Sequence, residues 1–261
     1  MFGVNEALNS TYVMWYRQVK RFIRAKSRLV GSIAQPIVWM IFFGVGFASS
    51  FRLQGYQKIF GGVDYLSFLI PGVVVMAVFF TSFTAGISVI WDKEFGFLKE
   101  VLVAPTSRTL LIFGRALGDS TVAAIQGFIV LALAYLLVPN LLIVGIPLLI
   151  LTVFLVALSF TSLGIVLASK IRSMEGFQLL MTFIAMPILF LSGAFFPVKT
   201  MPEWMKILAF LDPLTYGVDV ARIALTGVGF FPLTLSFIVL LGLTVAFTVF
   251  ATYAFRKVGI E

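Results

Sequence analysis

No cysteine and no histidine occur among the 261 residues. Their absence excludes thiol nucleophiles, imidazole bases and the soft metal sites built from either. Charge is scarce too. Lys and Arg number 19 against 11 Asp and Glu, so 11% of the chain is charged, where a soluble domain carries roughly a quarter. No Gly-x-x-x-x-Gly-Lys-Ser/Thr loop is present, so the chain lacks the usual cradle for nucleotide phosphates. No repeat at periods of 20–50 residues is visible, and the halves do not mirror each other as in many secondary transporters. Near the start, basic residues follow aromatic ones with no small-residue cleavage site, so no cleavable signal peptide is expected.

What fills the chain instead is apolar. Hydrophobic residues make up 61% and mean hydropathy is +1.09. Apolar runs of eighteen or more residues can cross a hydrocarbon core of roughly 30 Å. The expected architecture is an all-α integral membrane protein with six spans, near 29–50, 65–90, 109–138, 141–169, 177–197 and 231–254. Residues 1–28 are expected to form an N-terminal amphipathic interfacial helix, and 29–261 a single transmembrane domain. The third and fourth spans meet at Pro139-Asn140, a turn signal that makes them a helical hairpin. A net charge of +8 could suggest nucleic acid, but most of it flanks the apolar runs. Arg17, Lys20, Arg21, Arg24, Lys26 and Arg28 precede the first span, and Lys93, Lys99 and Arg108 follow the second. Lys170 and Arg172 follow the fourth, and Arg256 and Lys257 the last. Excess positive charge marks the cytoplasmic side, so both termini are expected there, in the plasma membrane, with no nucleic-acid partner.

Three polar or broken stretches interrupt the apolar pattern. On a helical wheel Tyr12, Trp15, Tyr16, Val19, Phe22 and Ile23 share one face, and Arg17, Lys20, Arg21, Arg24 and Arg28 the other. That predicts a basic helix lying in the membrane interface. In EFGFLKEVLVAPTSR, residues 94–108, Phe95, Phe97, Leu98, Val101 and Leu102 form one arc. Asp92, Lys93, Gly96, Lys99 and Glu100 form the other. Asp92 and Glu94 suit a first helical turn, Pro105 a stop, and Thr106-Ser107 a cap for the next span. The third stretch is LSGAFFPVKTMPEWMKILAFLDPLTYGVDVARIALTG, residues 191–227. Pro202-Glu203 can open a helix running to about Phe210, Asp212-Pro213 breaks it, and a second helix ends at Gly227. Helices this short read as a re-entrant or interfacial pair on the outer side, with Trp204 and Tyr216 at headgroup depth.

The order Glu94, Gly96, Leu98, Glu100, Leu102, Pro105, Ser107, Arg108, then Gly114-Arg115, resembles the intracellular loop of ABC-2 type permeases. These are membrane subunits of ATP-binding-cassette exporters. Lys99 departs from the pattern by displacing the usual acidic register. The Ser-Gly…Phe-Pro…Met-Pro-x-Trp…Pro-Leu-x-Tyr…Arg string in 191–227 resembles the family's outer segment. The resemblance spans nearly the whole chain and leans toward drug- and antibiotic-export permeases.

The resemblance implies a transported molecule that is hydrophobic or amphipathic, a lipid or a glycan. It also implies two copies of a separate ATPase subunit and a second copy of this chain, within membrane lipid. ATP and Mg would be held by the ATPase, and this chain would be no enzyme and bind no cofactor. Glu94, Phe95, Gly96, Phe97, Leu98, Glu100, Val101, Leu102 and Pro105 would form a coupling helix against that subunit. The first, second and fifth spans would approach the dimer axis, making Gln35, Thr81, Ser82, Thr84, Gln178 and Thr182 candidates for the pathway. Ser and Thr in apolar helices also commonly bond their own backbone. Arg115 and Asp119, four residues apart, are expected to form a structural ion pair. The rival reading is an ion-gradient-driven secondary transporter, which calls for acidic residues at mid-membrane. Asp92, Asp119 and Glu175 all fall near span ends.

Overall fold

Asp64 starts the most enclosed of the long apolar helices among the described residues. Its carboxylate accepts from the Ser67 backbone N–H at 3.1 Å and from the Ser67 hydroxyl at 2.6 Å, satisfying donors that a helix N-terminus leaves open. In the computed structural model of the protein, residues 4–46, 58–95, 107–139, 141–171 and 173–256 are described. In chain order the helices are α1 (Val4–Arg24), α2 (Lys26–Trp39), α3 (Tyr65–Glu94), α4 (Arg108–Leu137), α5 (Ile146–Lys170), α6 (Met174–Leu191), α7 (Glu203–Leu211), α8 (Pro213–Thr226) and α9 (Leu233–Arg256). The described residues contain no strand.

α3 lies at the centre, packed on α4, α5 and α8, with α9 closing over α4, α5 and α8. At the α3–α5 crossing, a Cβ added to Gly86 would sit 2.5 Å from the Gly164 carbonyl oxygen, so the backbones meet only because both positions are glycine. Phe79 and Phe160 fill the next layer, edge to face at 4.6 Å. Polar contacts tie α9 to α5, with the Ser159 and Thr244 hydroxyls 2.6 Å apart in a buried position. α6 is different. Phe177, Met181, Ala185 and Leu189 form its buried edge, while Leu179, Phe183, Met186 and Phe190 are exposed.

Among the described residues five helices are long and apolar enough to cross a membrane: Tyr65–Glu94, Thr109–Leu137, Ile143–Lys170, Met174–Leu191 and Leu233–Ala254. With this composition, the protein is a multi-pass membrane protein. The expected first span, 29–50, is the exception. Its apolar part, Val30–Gly44, is a shorter helix, and residues 47–50 lie outside those described. The helix runs on through Pro36, which has no N–H to give, and passes into a π-helical segment, Met40–Gly46. Five spans are thus found among the described residues, and the expected first span runs past them at residues 47–50.

At the other end of the bundle from α1, the 191–227 stretch forms α7 and α8. Asp212 caps α8 by accepting from the Leu214 N–H at 2.9 Å, and Gly227 ends it at φ +74°, a left-handed turn that favours glycine. Arg222 is buried against α3. It donates to the Gly193 carbonyl at 2.7 Å and lies 3.7 Å from the centre of the Phe68 ring. Trp204 is exposed, but Tyr216 is not at a surface. It is buried, stacks on Phe231 and donates its hydroxyl to the Phe210 carbonyl at 2.7 Å.

Candidate functional site

The last two turns of α3 concentrate the polar chemistry of the α1 end. Asp92, 5% exposed, accepts from Arg115 Nη1 on α4 at 2.6 Å and from Arg17 Nη2 on α1 at 3.2 Å. Arg21 lies 3.8 Å from the same carboxylate and over the Trp91 ring. Arg115, 1% exposed, uses its second terminal nitrogen to donate to the Ser88 hydroxyl at 2.7 Å. A carboxylate in the last turn of a helix faces the negative end of the dipole, and three guanidinium groups offset that penalty. Lys93, beside it, donates to the Ala168 and Ser169 carbonyls at 2.8 and 3.1 Å, satisfying the open C-terminus of α5. The Trp91 indole N–H points to the Met174 sulfur at the start of α6. Four helices are thus bonded to one end of α3.

α1 has three faces rather than two. Thr11, Met14, Trp15, Gln18 and Phe22 face α4 and the cluster, with the Trp15 N–H donating to the Thr121 hydroxyl at 3.0 Å. A Cβ at Gly114 would collide with the Thr11 carbonyl, so glycine there lets α1 lie against α4. Leu8, Tyr12, Tyr16 and Ile23 are exposed and apolar, while Lys20 and Arg24 are exposed cations. The two-faced wheel is corrected here. Trp15 and Phe22 pack on protein, and Arg17 and Arg21 turn to Asp92.

The expected Arg115–Asp119 ion pair forms, but it is the looser of the two that Arg115 makes. Asp119 Oδ2 stands 3.8 Å from Arg115 Nε, whereas the short contact of Arg115 goes to Asp92. Nor do Asp92 and Glu94 open a loop helix: both lie in the final turn of α3. An acidic residue closing a long apolar helix was itself the missed signal, because such a position demands a cation. Of the coupling-helix residues, Glu94 ends α3 and Phe95 follows it, 81% exposed. Gly96, Phe97, Leu98, Glu100, Val101, Leu102 and Pro105 lie outside the described residues. Ser107 precedes α4 without a side-chain cap bond.

The six pathway candidates do not converge. Ser82 is buried and bonded to the Val78 carbonyl at 2.6 Å. Thr84 and Thr182 bond carbonyls of their own helices, and Gln35 and Gln178 are exposed on α2 and α6. Thr81 and Thr84 do share a cleft of about 220 Å³ between α1, α2, α3 and α4. Gln18, Arg21 and Phe22 line it from α1, Ser32 from α2, Ser88 from α3, and Asp119, Val122 and Gln126 from α4. Nothing in the sequence pattern paired these residues. Among the described residues no group of three acidic side chains could hold a metal ion.

Comparison with known proteins matches residues 9–226 to the family described as ABC-2 type transporter. The ycf38 permease of Cyanophora paradoxa is 34% identical over 215 residues, covering 78% of this chain and 71% of that protein. The inner membrane transport permease YadH of Escherichia coli is 25% identical, covering 90% of each. Nodulation protein J of Rhizobium leguminosarum is 28% identical, covering 83% of this chain and 78% of its own length. The match takes in α1, the α3 end and the α7–α8 pair together, and the chain belongs to the ABC-2 type transporter family.

Proposed function

We propose that this chain is the membrane-spanning subunit of an ATP-driven exporter. Two copies would pair with two copies of a separate ATP-binding-cassette ATPase, which holds ATP and Mg. Segment 94–105 would dock on the ATPase, with Glu94 and Glu100 facing its basic residues. The observation that carries this reading is the set of bonds at the end of α3, immediately before that segment. A displacement of residues 94–105 acts on Asp92 and Lys93 and so reaches α1, α4 and α5 at once. A buried, short, charge-assisted contact transmits such a push better than an apolar one, which can slide.

In the dimer, α2, α3 and α6 would approach the two-fold axis, and the exposed face of α6 supports its share of that contact. The cargo would be a hydrophobic or amphipathic small molecule, a lipid or a glycan, leaving the cytoplasm across the plasma membrane, with both chain termini cytoplasmic. The family match favours this over ion-driven transport. The test is co-purification in mild detergent. The unaltered chain should bring down a stoichiometric ATPase, and the double variant Glu94→Lys/Glu100→Lys should lose it while still inserting and eluting normally. Retained ATPase in that variant would remove the docking assignment.

A further inference from the structure

We propose that the cleft between α1, α2, α3 and α4 binds the small, uncharged polyol head of an amphiphile, about the size of glycerol. The argument starts from hydrogen-bond accounting. Gln18 and Gln126 are 3% and 2% exposed, and both line the cleft with Asp119. Gln126 donates through Nε2 to the Ser32 hydroxyl. Gln18 Nε2, Gln126 Oε1 and Asp119 Oδ2 are buried and make no hydrogen bond. A buried polar atom without a partner has given up its water for nothing in return, so one donor and two acceptors around a shared space point to a ligand.

The chemistry of that ligand follows from what is already paired. Arg21 and Asp119 are the charged groups that line the cleft, one of each sign, and Arg21 already faces Asp92 and Asp119 faces Arg115, each at 3.8 Å. A phosphate would meet two acceptors, and an ammonium group would meet the Gln18 donor. Hydroxyl groups both donate and accept, and they satisfy all three positions. About 220 Å³ is the room taken by roughly seven waters at about 30 Å³ each, enough for a glycerol-sized group. Phe22 and Val122 supply the apolar wall for the first carbons of a tail, and exposed Thr84 marks the mouth.

Only the cleft's role as an entrance for cargo rests on the transport reading; its occupancy does not. The experiment therefore uses the full chain in phosphatidylcholine nanodiscs with no ATPase present. The probe is a monoacylglycerol carrying a diazirine on the first carbons of its tail, with a choline-headed probe of the same tail as control. Labelled peptides are mapped by mass. The monoacylglycerol should label residues 18–32 and 81–88, and the choline probe should not. Gln18→Leu and Gln126→Leu should each cut labelling at least five-fold. Thr84→Trp, on the exposed side of α3, should block the mouth without disturbing packed surfaces. Excess free glycerol separates the sources: label it removes assigns the cleft to soluble polyols, and label that survives assigns it to membrane-borne heads. Equal labelling by the choline probe, or full labelling in all three variants, would overturn the proposal. Loss of ATPase binding in the Glu94→Lys/Glu100→Lys variant leaves this labelling unchanged, which keeps the two readings separable.

Discussion

At the scale of residues, the cluster and the outer caps make different predictions. Asp92 is the only carboxylate within hydrogen-bond reach of the buried Arg115 among the described residues. Asp92→Asn leaves that guanidinium without its anion and is expected to cost roughly 3–5 kcal/mol, as breaking a buried pair does. Thermal unfolding in detergent should show the drop. Asp92→Leu with Arg115→Met should recover only part of it, because Arg17 and Arg21 are part exposed and can reach water, whereas Asp119 loses Arg115. Asp212, outside the spans, behaves in the opposite sense. Burial pushes its carboxyl up from 3.8 to about 8, against the lowering effect of the Leu214 and Thr215 bonds. The folded chain then holds a proton that the unfolded chain releases. The stability it contributes is full below the ordinary carboxylate range, falls as pH rises, and is lost above about pH 8. Asp212→Asn should flatten the unfolding midpoint between pH 4 and 8. A wild-type midpoint that rises across that range through this residue would contradict the assignment.

At the scale of elements, α3 is the member to which others are fixed, and Lys93 is its most local fastening. Lys93→Met keeps the stem but removes the donor to the α5 carbonyls, so the last turn of α5 should fray. Hydrogen exchange at residues 167–170 is expected to speed up several-fold, with little change at mid-α5; unchanged exchange would mean the carbonyls find water instead. Much at this scale was legible beforehand. The long apolar runs, Pro213 after Asp212, and Gly227 mark helix ends that the structure shows within a few residues, because proline and glycine act locally. The inside of the first span was not legible, since a hydropathy pattern does not mark the change to a π-helical segment at Met40. Nor was the third face of α1. A wheel separates apolar from charged, but Trp15 and Arg17 were claimed by α4 and Asp92, contacts more than seventy residues away in sequence. The same limit hid the cleft, whose Gln18, Ser32, Thr84 and Gln126 come from four helices.

At the scale of the whole molecule, the account has one mechanical claim: a force applied to segment 94–105 enters the bundle through the α3 end. The polar contacts nearest that point run from the three guanidinium groups on Asp92 to the Lys93 cap on α5. The exposed faces of α2 and α6 are where the proposed second copy and lipid would pack. The chain has no native cysteine, so a single engineered thiol reports unambiguously. The most direct measurement places Glu100→Cys in the assembled complex and reacts it with a short photo-activated crosslinker, with and without ATP. The account predicts one product, joined to an ATPase subunit, whose yield changes when ATP binds. Crosslinking only to lipid or to this chain itself, in both conditions and with the ATPase present, would contradict it.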